Sequence, residues 1–213
     1  MDAAALYAER LKTPDQAAAL IASGAKAAMG LLVDGAPVFD RLSGPEYLFY
    51  LGALRRMNQA EVEHRSAQLL DALQLADAAD KPIADYSAGM TKKILLAGAL
   101  LHNPEVVILD EPLEAVDPVS GQLIQEILRA YVARGGTVIL SSHVMQLVEG
   151  LCDHVAIIAG GQVLSAGHVE DVRQGGSLTD AFIHFAGGSE FDADSFEWLR
   201  SEGSTTQRGE GEL

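Results

Sequence analysis

Residues 106–110 read "VVILD", an apolar, β-branched run with no polar break until it ends at Asp110, Glu111 and Pro112. An uninterrupted run of this kind predicts a strand of a parallel sheet covered on both faces. "TVILSS" (137–142) repeats the pattern and predicts a second buried strand. Between them, Pro118 after Asp117 marks a helix start, because proline at the first helical position gives up no needed donor. Leu123, Ile127 and Tyr131 then recur every four residues, flanked by Ile124 and Leu128, so one helix face is apolar until Gly135–Gly136 stops it. A further helix is expected from about Val144 to Leu151. "VAII" and "QVLSAG" flank Gly160–Gly161, a two-residue link suited to a tight hairpin with positive φ. Strand, helix, strand, helix and hairpin over about 104–167 predict an α/β layer whose parallel strands are joined by a right-handed crossover.

Upstream the periods change. Residues 1–28 are rich in alanine and predict a helical arm broken near Pro14 and Gly24. A short strand is expected at Leu31–Val33, ending in a turn at Asp34–Gly35. From Pro45 the pattern is helical through "EYLFYLGALRRM". A second helix, from about Gln59 to Leu75, carries Val62, Leu69, Leu70 and Leu73 as its apolar stripe. These helices form a small helical subdomain at about 45–85. Ser87 is placed to cap the next helix, "KKILLAGALL", which ends before Asn103–Pro104. Residues 169–213 form an acidic C-terminal extension. There "SLTDAFIHFAGG" and "ADSFEWLR" each predict a short helix, and "SEGSTTQRGEGEL" predicts a disordered end.

Composition narrows the partners. Thirty acids against 15 bases give a net charge of −15, and the densest basic clusters are the pairs Arg55–Arg56 and Lys92–Lys93. Nonspecific affinity for a phosphate backbone needs clustered cations, so no nucleic acid partner is expected. Cys152 is the one cysteine, which excludes an internal disulfide and a thiolate metal cage. The start, "MDAAALYAERLK", lacks the pattern of a secretory signal, and no apolar run approaches the ~18 residues of a membrane span. Membrane association then requires a partner.

Asp110 and Glu111 stand at the carboxyl end of a predicted strand, where α/β sheets receive ligands. Two acids there suit a metal–phosphate site, one holding Mg2+ directly or through water and the other orienting an attacking water. They equally suit a strand that ends in solvent. "SSH" (141–143) brings His143 to the end of the neighbouring strand, either as a phosphate sensor or as a surface residue. Asp117 adds an acid that also reads as a helix cap.

The order "YSAGM" (86–90), "VVILDEP" (106–112), "EAVD" (114–117), "SSH" (141–143), followed by "VAIIAGGQVLSAG", resembles the nucleotide-binding domain of ABC transporters over about residues 29–168. The Tyr-Ser-x-Gly-Met form with Lys93 is similar to the variant of ABC-2 type exporters. By that resemblance the fold is an incomplete P-loop NTPase-like ABC ATPase core with a small helical subdomain and a terminal β-hairpin. Asp110 corresponds to the magnesium-associated aspartate, Glu111 to the general base and His143 to the switch histidine. Asp117 belongs to the loop that crosses the dimer interface. Ser87 and Gly89 belong to the signature motif, which grips the terminal phosphate of ATP on the opposite subunit, and Ala88 replaces a common glycine. Asp34 falls where the family's switch loop carries Gln or Glu. The resemblance further implies ATP and Mg2+ as cofactors, a second ATP-binding subunit, and a membrane permease holding the chain on the cytoplasmic face of the membrane.

One element of that family has no counterpart in these 213 residues. No G-x-x-x-x-G-K-[ST] occurs, and the nearest imitation, "SGAKAA" (23–28), has one glycine and no hydroxyl after Lys26. The resemblance therefore implies an ATP-binding subunit that is truncated or degenerate and not catalytically competent alone. A noncatalytic regulatory or structural protein on an ABC-like fold, and an ABC-like ATPase outside transport, are the alternatives. With the phosphate-loop strand expected beside the 106–110 strand, Val107 and Leu109 are expected to lose cover.

Overall fold

The computed structural model describes residues 27–35 and 38–187. The Ala-rich arm through residue 26, "ADSFEWLR" and the terminal tail lie outside the described residues. The chain divides into two units, one reaching Leu151 and one beginning at Cys152.

The first unit is a three-stranded parallel sheet with helices. Its strands are β1 (Met29–Leu32), β2 (Val106–Asp110) and β3 (Thr137–Ser141), in the order β1-β2-β3. Leu31, Ile108 and Ile139 share one register position, and Leu32, Leu109 and Leu140 the next. The helices are α1 (Gly44–Leu54), α2 (Gln59–Ala72), α3 (Ala88–Leu100), α4 (Pro118–Ala133) and α5 (Met145–Leu151), with short 3₁₀ turns at 76–78 and 83–85. Each long helix starts on a local signal. The Glu46 carboxylate accepts from Ser43 N and Oγ before α1, Asn58 accepts from Ala60 N before α2, and Ser87 accepts from Met90 N before α3.

One core unites these elements. Leu32, Val107 and Leu109 from the sheet are at most 1% exposed and meet buried Leu48, Leu73, Ile94, Leu96, Ile124 and Leu128 from the helices. The expected gap beside the 106–110 strand is not there. β2 is paired on both sides, by β1 and by β3, so Val107 and Leu109 keep their cover. The expectation of two buried strands covered on both faces also needs correction. On the alternate face Leu31 is 58% and Ile139 45% exposed, and β3 leaves its outer edge unpaired among the described residues. The helices of this unit bury one face of the sheet only. A continuous apolar run marks a strand without saying how many faces are filled.

The second unit is an antiparallel hairpin, β4 (His154–Ala159) and β5 (Gln162–His168), followed by α6 (Val169–Arg173) and α7 (Leu178–Ala186). Gly160 and Gly161 take φ of 58° and 75°, as a two-residue turn between right-twisted strands requires. Helix α7 starts on a reciprocal Ser177–Asp180 cap and lies in the stretch predicted from "SLTDAFIHFAGG".

Candidate functional site

The carboxyl ends of β2 and β3 meet at one corner of the sheet. Asp110 and Ser141 are register partners, so the Ser141 hydroxyl reaches Asp110 and donates to its Oδ1 at 2.5 Å. Glu111 follows with φ of +44°, a left-handed conformation that costs a residue with a Cβ about 1–3 kcal/mol. That backbone turn carries the Glu111 carboxylate across to the loop after β3. There His143 donates its backbone N–H to Glu111 Oε1 at 3.0 Å, and its ring Nδ1 lies 2.8 Å from the same oxygen. An ionised carboxylate only accepts, so Nδ1 carries the shared proton. The hydrogen bond and the charge of Glu111, reinforced by Glu114, hold the His143 imidazole above its ordinary pKa.

These groups border a cavity of 290 Å³ whose walls include Glu111, Ala115, His143 and Leu147. The loop from 111 to 117 is bent twice, with Ala115 also at positive φ, 58°. It closes on Asp117, whose Oδ1 accepts from Val119 N and Ser120 N at 3.1 and 3.0 Å and caps α4. Bonds from Ser120 are the main reason its carboxyl sits below the ordinary range. The structural use of Asp117 is thus on display. The same loop passes over the start of α3, where a Cβ on Gly89 would stand 3.5 Å from Ala115 O. Ser87 is exposed one residue before that helix, and the first amides of α3 open beside it.

Asp34 is engaged elsewhere. Its Oδ1 is bound by Lys92 Nζ at 2.7 Å, and that bond lowers its pKa. Lys92 is 8% exposed on α3, so the pair ties the turn after β1 to the helix that Ser87 caps. Sequence reasoning singled out neither Lys92 as this partner nor Ser141 as the donor to Asp110. Ser141 was legible in principle, since it ends a strand in the register of Asp110.

The donor set can be weighed against Mg2+. Magnesium keeps several waters and takes one or two carboxylates alongside phosphate oxygens. Asp110 is exposed and oriented by Ser141, which fits such a role. Among the described residues no group of three or more acidic, His or Cys side chains forms a dedicated metal cage. An anion fits the start of α3, where unpaired amides and the helix dipole favour negative charge.

Comparison with known proteins bears on the same elements. Residues 16–114 match the family model described as ABC transporter. An uncharacterised ABC transporter ATP-binding protein of Synechocystis is 35% identical over 149 residues, 69% of this chain and 42% of that protein. The Nod factor export ATP-binding protein I of Rhizobium leguminosarum bv. viciae is 38% identical over 122 residues, 57% of this chain and 39% of that protein. The ABC transporter ATP-binding protein NatA of Bacillus subtilis is 31% identical over 150 residues, 70% of this chain and 61% of that protein. The chain thus spans about half the length of these relatives. A solved structure of the ATP-binding subunit of an ABC transporter superposes with a TM-score of 0.72 and 25% identity, covering 78% of this chain and 72% of that one.

Proposed function

We propose, from the premise that this chain belongs to the ABC transporter family of ATP-binding proteins, that it supplies the water-activating edge and the phosphate-gripping helix of an ATP-hydrolysing transport assembly. The observation that carries the reading is the joined cluster at the ends of β2 and β3. There the Glu111 carboxylate is held by His143, next to Asp110 held by Ser141.

In this reading Glu111 is the general base. Both bonds from His143 end on Oε1, which leaves Oε2 to take a proton from water. His143 fixes the carboxylate's rotamer, and Glu111 favours its protonated form, which places positive charge beside the developing phosphate negative charge. Asp110 would hold a magnesium ion, which when bound with ATP would supply charge neutralisation of the phosphate oxygens. Ser87 and Gly89, with the first amides of α3, grip the terminal phosphate of ATP held by a second ATP-binding subunit. Asp117 lies in the loop that meets that subunit. Asp34, through Lys92, relays the state of α3 to the turn that leads into α1 and α2.

No helix among the described residues is long and apolar enough to cross a membrane. Attachment to the cytoplasmic face of the membrane through a permease follows in this reading. Exposed Phe39 and Tyr50, packed edge to face at 4.8 Å, with Leu54 64% exposed on the same helix as Tyr50, favour the helical layer as the permease contact. Relatives named for export favour outward transport.

The test is magnesium-dependent ATP turnover of the native complex purified through a tag on this chain. Changing Glu111→Gln should lower turnover by about 10²–10⁴-fold while ATP binding persists. Unchanged turnover refutes the catalytic role. It would instead favour a regulatory subunit, a reading supported by the lack of any G-x-x-x-x-G-K-[ST] in these 213 residues.

A further inference from the structure

The second unit carries a pair of histidines that the reading above leaves unused. His154 opens β4, His168 closes β5, and the two are register partners across the hairpin. One residue further out, Val169 donates its backbone N–H to Asp153 O at 3.0 Å. Hydrogen-bonded and non-hydrogen-bonded pairs alternate along an antiparallel ladder. His154 and His168 therefore form a non-hydrogen-bonded pair, the kind in which opposite side chains stand closest. The rings meet, with centroids 3.9 Å apart and planes tilted by 36°.

Both side chains are exposed, and neither ring makes a hydrogen bond among the described residues. His168 directly precedes α6, yet its side chain makes no capping bond. By contrast, His143 Nδ1 is held by Glu111, and His102 Nε2 lies 3.1 Å from Met29 O. Two adjacent imidazoles with uncommitted nitrogens, open to solvent, have the chemistry of a metal clamp. Ligand nitrogens ~2.0–2.1 Å from one ion sit roughly 3 Å apart. Rings with centroids 3.9 Å apart reach that separation by turning about χ2, which exposure leaves free. The ladder already fixes the two backbones, so bringing the ligands together costs little order. Imidazole suits copper, nickel and zinc, whereas Mg2+ takes oxygen donors. Among the described residues no third acidic, His or Cys side chain completes the set, so water or an external donor fills the remaining positions. The geometry points to an open, two-histidine site for a borderline transition-metal ion, Cu2+ or Zn2+, clamped between His154 and His168 at the open end of the hairpin.

Zn2+ titrated into the full chain at neutral pH, followed through the imidazole resonances, should move the His154 and His168 signals together and ahead of those of His64 and His184. Affinity should rise from Mn2+ to Zn2+ to Cu2+, with Mg2+ leaving both rings untouched. The first equivalent of Cu2+ should show two imidazole nitrogens by electron paramagnetic resonance. His154→Gln and His168→Gln, both at exposed positions, should each weaken Zn2+ binding at least ~10-fold while the circular dichroism of the parent is kept. Cys152→Ser should leave affinity and shifts unchanged. Absence of binding, a response from only one of the two rings, affinity indifferent to either His→Gln change, or loss of binding in Cys152→Ser would each overturn the assignment.

Discussion

The approach of β1 to α3 can be tested at a single atom. A Cβ built on Gly30 would lie 2.2 Å from Ala99 O, 3.0 Å from Ala99 C and 3.1 Å from Pro104 Cγ. The nearest obstacle is a backbone carbonyl in the last turn of α3, which cannot rotate away as a side chain would. Restoring normal contact requires strand and helix to separate by roughly 1 Å, and a gap of that size forfeits a quarter to a half of each dispersion contact across it. Leu32, at 1% exposure, and Ile94, at 0%, belong to the core that would open. Overpacking of this kind costs about 1–3 kcal/mol, and Gly30→Ala should reach the upper end because backbone has to move. Urea unfolding followed by circular dichroism measures it. With a slope of about 2 kcal/mol/M the midpoint should fall by about 1.5 M. Gly121→Ala is the matched control, since its Cβ would meet nothing within 4 Å inside α4, and it should stabilise by about 0.5–1 kcal/mol. The same displacement should loosen the 2.7 Å Lys92–Asp34 pair, because Lys92 rides on α3 and Asp34 sits in the turn just after β1. A midpoint for Gly30→Ala within about 0.3 M of the parent would refute the claim that this contact is tight.

Further outcomes follow from the charged groups and caps. Glu111→Gln should bring the His143 pKa back down toward its ordinary value, read from imidazole resonances in a pH titration; an unmoved resonance would separate the two side chains. His102 is held at about 4 by burial and by Arg55, so its ring is neutral in the fold while the unfolded chain takes a proton near 6.5. Stability should therefore fall as pH drops from 6.5 to 4. The ceiling is about 3.4 kcal/mol, reduced to about 1–2 kcal/mol because the ring is only partly buried and water screens it, and His102→Gln should flatten that slope in acid unfolding curves. Ser87→Ala should cost about 1 kcal/mol as a lost helix cap, with Ser87→Gly costing less. Lys92→Met should raise the Asp34 pKa toward the usual carboxylate range, observable in side-chain carboxyl shifts.

Much of the scaffold was legible in one dimension because its signals are local. The β-branched run at 106–110, Pro118 behind Asp117, Ser87 before an apolar helix and the paired glycines at 160–161 each act within a few residues. Each produced the element expected of it. The juxtaposition of Asp110, Glu111 and His143 was also within reach, since two strands of equal length in a parallel crossover must deliver their ends to one edge.

Patterning and motif order pointed to the α/β class, to a resemblance to ABC transporter ATP-binding proteins and to the side chains that stand at the sheet's carboxyl edge. Folding settled the rest, because it depends on contacts between residues far apart in the chain. Pairing on both sides of β2 keeps Val107 and Leu109 buried, while placing helices on one face leaves Leu31 and Ile139 bare. The turn of Glu111 into positive φ puts its carboxylate on His143, and the packing of α3 against β1 gives Asp34 to Lys92. No periodicity encodes a partner 32 or 58 residues away; only the three-dimensional register of strands and helices does.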